Sequence, residues 1–244
     1  MHNSKVKLLT VNNHKTIKSL GYGYTTYILY LAPHMQNSRG INLCPHASAG
    51  CAAGCLFKSG MGGVYENVIK GRTNKTEYYL DNRDGFLLQL ANEIEAAIKR
   101  HGIENIAIRL NGTADIRWEK LKVGRTGLNI FELFSDVHFY DYTKNPHRFD
   151  IELPSNYHLT FSRSEVNHDI AINLLKRGFN VSMVFSGGLP SSYEGYKVIN
   201  GDLHDLLFLH EKNVIVGLSY KSSTGLNGKE RNKIALASGF VIHI

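Results

Sequence analysis

Asn82-Arg-Asp-Gly-Phe-Leu-Leu-Gln-Leu-Ala-Asn-Glu-Ile-Glu-Ala-Ala-Ile-Lys-Arg-His-Gly102, followed closely by Asn105-Ile-Ala-Ile-Arg-Leu110, decides the fold. Within Asp84–His101 the residues Phe86, Leu90, Ile94, Ala97 and Ile98 fall on one stripe, the 3.6-residue period of a helix lying on a core. Asn82 or Asp84 can cap its start, and Gly102 ends it. Asn105–Leu110 is short, apolar and β-branched. Its lack of clean alternation is expected of a strand buried on both faces.

The same alternation extends in both directions. Thr25–Leu31, Val137–Tyr140, Tyr157–Phe161, Asn180–Phe185 and Asn213–Leu218 read as strands, and Gly239–Ile244 as a weaker one. Asn129–Phe134, Glu165–Arg177 and Gly201–His210 read as helices between them, Gly178 stopping the second. Strand, helix, strand implies right-handed crossovers and a mainly parallel sheet. About six such units predict an α/β fold, a partial or complete (β/α) barrel, with a doubly wound open sheet as the alternative. Both place ligands at the C-terminal ends of the strands. The 244 residues suit one domain over 1–244, with no linker and no internal repeat.

All three cysteines lie in Cys44-Pro-His-Ala-Ser-Ala-Gly-Cys51-Ala-Ala-Gly-Cys55, a C-x6-C-x3-C spacing inside a loop at 41–63. An odd number of clustered cysteines argues against a disulfide framework. Clustered thiolates suit an iron–sulfur cluster or zinc. The small residues between them let the backbone wrap an inorganic core and leave amides free for sulfides. Zinc usually takes a second half-site, which is missing, and His46 is cramped against Cys44. The expectation is therefore a [4Fe–4S] cluster on Cys44, Cys51 and Cys55, with zinc as the alternative.

The loop follows the first strand, and in that arrangement the chain resembles radical S-adenosylmethionine enzymes. Their C-x3-C-x2-C spacing is absent here. The resemblance implies a cluster with one open iron and S-adenosylmethionine as a ligand. A second resemblance covers most of the chain, from about Leu43 to past Gly217. Cys44 through Cys55-Leu-Phe-Lys-Ser-Gly60, Lys75-Thr76 and Leu110-Asn-Gly-Thr-Ala-Asp-Ile-Arg-Trp118 resemble the gene-product-eighty-eight-like family of mycobacteriophage proteins. That family implies a viral protein made in the cytoplasm of an infected cell. It supplies no reaction.

Polar residues recur where strands end. Asn111, Thr113 and Asp115 follow the second strand and suit a ligand's amine or carboxylate, although an Asn-Gly turn explains them as well. Tyr140, Arg163 and Lys221 occupy similar positions, and Arg163, Lys144 and Lys221 would favour an anion. Asn111, Thr113, Asp115, Tyr140, Arg163 and Lys221 are thus the candidate ligand residues. No residue declares itself catalytic. Ser59-Gly-Met-Gly-Gly63 lacks the Lys-Ser/Thr of a phosphate loop, and Lys70, Arg72 and Lys75 read as a solvated helix face.

The formal charge of +7 is spread along the chain, densest at Lys70–Lys75 and Lys229–Lys233. A solvated basic surface accounts for it, and nucleic-acid binding is the less favoured partner reading. The longest apolar runs, such as Tyr27–Ala32, are too short to span a membrane. Met1–Lys7 lacks the apolar core of a signal peptide. The functional expectation is a cluster-binding phage protein with a small-molecule ligand at the cluster. Its alternative is a structural-zinc protein that meets nucleic acid or a host partner through its basic surface.

Overall fold

A computed structural model of the chain describes residues 6–11, 13–55, 65–223 and 227–244. Residues 56–63 of the cysteine loop, with the glycine run at 59–63, lie outside the described residues. The strands are β1 (Leu9–Thr10), β2 (Thr25–Leu29), β3 (Ile106–Arg109), β4 (His138–Thr143), β5 (Tyr157–Ser162), β6 (Val181–Ser186), β7 (Ser192–Tyr193), β8 (Tyr196–Asn200), β9 (Ile215–Ser219) and β10 (Val241–His243). The helices are α1 (His14–Lys18), α2 (Ala49–Ala53), α3 (Glu66–Asp81), α4 (Arg83–His101), α5 (Ile130–Leu133), α6 (His168–Lys176) and α7 (Gly228–Ala237).

α4 forms as its pattern requires. The Asn82 side chain accepts from the Gly85 amide at 2.9 Å, and Gly102 leaves the helix at φ +82°. Phe86, Leu90 and Ile94 are fully buried against Tyr27 and Leu29 of β2, Ile106 and Ile108 of β3 and Phe139 of β4. Each such side chain contributes roughly 1.5–3 kcal/mol. The strands therefore alternate. Ile106 and Ile108 face the helices, whereas Ala107 packs on the other face with Tyr140, Leu206 and Leu207. In β6 the residues Val181, Met183 and Phe185 meet Leu174 and Leu175 of α6, leaving Ser182 and Val184 to the opposite face.

The sheet order is β1-β2-β3-β4-β5-β6-β9-β8-β7. From β2 to β9 the strands are parallel and follow chain order, with none of the reversal that defines a doubly wound sheet. Nothing pairs the outer strands β1 and β7 to each other among the described residues, so the sheet is open and the complete barrel is not formed. It nevertheless curls. Arg109 of β3 reaches Asp205, in the chain just after β8, at 3.0 Å. In a flat sheet β3 and β8 would stand about 24 Å apart, five strand spacings.

β10 adds a local feature. β6 pairs with β5 only at Val181 and Ser182, and with β10 from Val184 to Ser186. β9 occupies the other side of β6 throughout. β10 thus takes the side of β6 that β5 vacates, and the gap between β5 and β6 opens toward the strands' C-terminal ends.

Gly201–His210 is not the helix its sequence suggests. Only Leu207–Leu209 makes a 3-10 turn. Leu206 and Leu207 must face Ala107 and Tyr140, and the Leu206 amide is taken by His204 Nδ1 at 3.2 Å. The helix expected from Glu165 begins at His168, because the Asn167 side chain first accepts from the Ser164 amide at 2.6 Å. No helix among the described residues is long and apolar enough to cross a membrane.

Candidate functional site

The inner face of the curled sheet carries a cavity of about 260 Å³ at the C-terminal ends of the strands. Arg109, Tyr142, Ser162, Ser182 and Ser219 enter it from five successive strands. Below them the 203–210 segment fills the face, with Phe208 stacked on His138 at 4.3 Å.

Cys44, Cys51 and Cys55 all line this cavity, and all three are free thiols of intermediate exposure. Cys51 and Cys55 stand four residues apart, one in α2 and one just past its end. Ser48 caps α2 by accepting from the Cys51 amide at 3.2 Å. Glu165 fixes this turn from 117 residues away, accepting from the Ser48 hydroxyl and the Gly50 amide, both at 2.7 Å. Gly50 has no space for a side chain, since a Cβ there would meet Phe240 Cβ at 2.6 Å.

Cys44 is tied to the loop after β3. Its thiol donates to the Thr113 carbonyl at 3.6 Å, and the Asp115 amide donates to the Leu43 carbonyl at 2.9 Å. Burial pushes the Cys44 thiol up to about 12; a backbone hydrogen bond from His34 opposes this, and Cys55, Asp115 and Cys51 add to it. As placed, however, no three His, Cys, Asp or Glu side chains among the described residues are gathered closely enough to hold one metal ion. The donor set suits a soft metal, and the small neighbours Ala47 and Gly54 leave room for one. Metal binding would have to draw the thiols in, as in sites where binding and ordering are coupled.

The β3 loop is held by its own hydrogen bonds. Asn111 accepts from the Ile116 amide at 2.9 Å and the Trp118 indole at 3.0 Å, and Thr113 donates to the Leu31 carbonyl at 2.5 Å. Asp115 accepts from the Thr143 hydroxyl at 2.8 Å and the Lys144 amide at 2.9 Å. Gly112 lies so close to β2 that a Cβ would meet the Leu29 carbonyl at 2.7 Å. Behind the loop, Arg148 is fully buried and donates to Glu119 and to the Tyr157 hydroxyl, both at 2.8 Å. Tyr157 in turn donates to Asp141 at 2.9 Å. Burial pushes the Asp141 carboxyl up to about 7 against the pull of Arg109, the Asn111 amide and Arg148.

Of the candidate ligand residues, Asn111, Thr113, Asp115 and Lys221 line the cavity with the thiols. Two others do not. Tyr140 is fully buried in the packing under the 203–210 segment. Arg163 donates to the Gly239 and Phe240 carbonyls and clamps the approach to β10. His46 is exposed, whereas His34 lines the cavity.

The cavity also has residues outside that candidate set. Lys18, Arg109, Asp202 and Asp205 line the cavity, with Arg109 on Asp205 at 3.0 Å and Lys221 on Asp202 at 3.1 Å. Arg72 of α3, read as part of a solvated face, lies over the Tyr30 ring at 4.9 Å. Burial pulls its guanidinium down, with Tyr30 and Cys55 opposing. A run of basic residues gives no sign of such burial, whereas Arg109 is a polar residue interrupting an apolar strand and could have been marked.

The chain is thus an open, mainly parallel α/β sheet with a polar, thiol-bearing cavity at its strand ends. The chain belongs to the Gene product 88 family, whose model matches residues 6–243. This is the family that the cysteine loop and Leu110–Trp118 resemble. No curated protein and no solved structure matches the chain.

Proposed function

We propose that the protein binds a [4Fe–4S] cluster through Cys44, Cys51 and Cys55, at the open end of a partial (β/α) barrel of the radical-enzyme type. The cavity beside the cluster takes a small anionic ligand, for which S-adenosylmethionine is the candidate. In this reading the protein works in the cytoplasm of an infected cell. One observation carries it: all three cysteines line a single cavity with polar side chains from five successive strands, β3, β4, β5, β6 and β9. A bound cluster would supply electrons and an iron position open to a ligand. The chain's own residues would orient the ligand, Arg109 and Lys221 being held by Asp205 and Asp202 for that purpose.

The test is metal content and visible spectrum of protein purified without oxygen, for wild type and Cys51→Ala. About four irons with matching sulfide per chain, lost in Cys51→Ala, is the expected result. Full iron content in Cys51→Ala would refute the three-cysteine site.

Structural zinc is a second reading because His34 lines the same cavity as the three thiols and would be the fourth donor if the four were drawn together. One zinc per chain with no visible absorption would favour it. The basic surface would then be the place to look for nucleic acid, by an affinity that falls steeply with salt.

A further inference from the structure

Four cationic side chains line the cavity, and two of them are paired with carboxylates. Arg109 pairs with Asp205 at 3.0 Å, Lys221 pairs with Asp202 at 3.1 Å, and Lys18 donates to the Asp202 carbonyl at 2.5 Å. The Lys144 ammonium donates to the Ser162 hydroxyl at 2.5 Å and reaches the Ser162 carbonyl at 3.4 Å, both neutral acceptors. Among the described residues no carboxylate lies within 4.0 Å of it. The Phe240 ring centroid, 5.6 Å away, is its other neighbour of note.

The fold holds this cation in place. Asp115 accepts from the Lys144 amide at 2.9 Å and the Thr143 hydroxyl at 2.8 Å, which fixes the backbone at the end of β4. The Ser162 hydroxyl, accepting from Lys144, has its own proton left to donate. Ser182, on the adjoining strand and 2% exposed, makes a long bond of 3.4 Å to the Phe161 carbonyl. An ammonium and two hydroxyls thus line one side of a partly enclosed cavity. A charge matched only by neutral acceptors attracts an anion more strongly there than in open water. Lysine suits this role as a point charge for carboxylate or phosphate.

We propose that Lys144, with Ser162 and Ser182, is the seat for the anionic group of a small ligand, a carboxylate or a phosphate. The inference rests on the reading of the cavity as a ligand site and does not depend on which metal the thiols hold.

The experiment measures the thermal midpoint of the full chain with increasing inorganic phosphate or acetate, at ionic strength held constant with chloride. Wild type, Lys144→Met, Lys144→Gln, Lys144→Arg and Lys197→Met are compared. Lys197 pairs with Glu211 on the surface and controls for the change in net charge. A saturable rise in wild type is expected with at least one anion, and the more effective anion identifies the ligand's group. Lys144→Met and Lys144→Gln should weaken binding by about tenfold or more, the effect of losing a charge-assisted contact. Lys144→Arg and Lys197→Met should keep it. No saturable rise with either anion, or an equal rise in both neutral variants, would overturn the proposal. Iron and sulfide are measured on the same preparations. An anion effect without iron refutes only the cluster, and iron without an anion effect refutes only the seat.

Discussion

Replacing Glu165 with Ala removes the group that docks the cysteine helix. The carboxylate accepts two hydrogen bonds at 2.7 Å, from the Ser48 hydroxyl and the Gly50 amide, at the start of α2. A hydrogen bond to a charged group contributes about 1.5–3 kcal/mol. Glu165 is only half-buried, so the low end applies, and the pair should contribute about 2–4 kcal/mol to holding α2 in place. At 1.4 kcal/mol per decade, that is roughly 30- to 700-fold faster opening of the segment. The assay is native-state amide exchange read by mass spectrometry, comparing the peptide that spans Cys44–Cys55 with peptides from α4. Glu165→Ala should accelerate the first and leave the second unchanged. Glu165→Gln keeps one acceptor oxygen and should fall between. Unchanged exchange across 48–54 in Glu165→Ala would refute the claim that this contact positions the thiols.

Gly50→Ala should produce a similar exchange signature, because its Cβ would press on Ser238 Oγ and Phe240 Cβ; overpacking of this kind costs about 1–3 kcal/mol, read as a lower urea midpoint. Arg148→Met should destabilise the chain by about 3–5 kcal/mol in urea unfolding, since it strands Glu119 and Asp115 without their buried partner. Asp141 gives a pH signature. Its carboxyl is raised from 3.8 to about 7, so between those values the folded chain keeps a proton that the unfolded chain has released. Stability should fall as pH rises through that window and level off above it. The difference in urea midpoint between wild type and Asp141→Asn should fall across the same window; a difference that grows with pH would mean that Arg109 holds the carboxylate ionised.

Much of the scaffold was legible because it is local. α4 needed one stripe and two caps, and α5 needed Asn129, whose side chain accepts from the Phe131 and Glu132 amides. The thiol loop was legible from residue type and crowding alone. α3 was harder, because its core contact rests on few residues, among them Tyr79 and the fully buried Thr76, in an otherwise polar stretch. The β7–β8 hairpin turns on Glu194 and Gly195, both at positive φ, a weaker signal than Asn-Gly.

Site residues were misplaced where a strand end was misplaced. Val137–Tyr140 puts Tyr140 at the mouth of the sheet, but β4 runs on to Thr143, so Tyr140 lies mid-strand in the packed layer. Arg163 sits at a strand end, yet its guanidinium is used by carbonyls 76 and 77 residues away. Neither the docking role of Glu165 nor the lack of a carboxylate beside Lys144 among the described residues is a property of neighbouring residues. Both depend on which strands and loops come together.

The order of the strands also bears on how the molecule assembles. From β3 to β6 each parallel strand pairs with the next one along the chain, so this part of the sheet can grow by successive short closures, whereas the cysteine loop, α3 and α4 intervene between β2 and β3. The cysteine helix is fastened instead by contacts spanning 117 residues to Glu165 and 170 residues from Ala53 to Ser223. Closures of that length come late, after the entropy of the intervening chain has been reduced. The thiols are therefore expected to remain accessible while the sheet forms, and loading them early would tether one flank of the cavity before its opposite wall arrives.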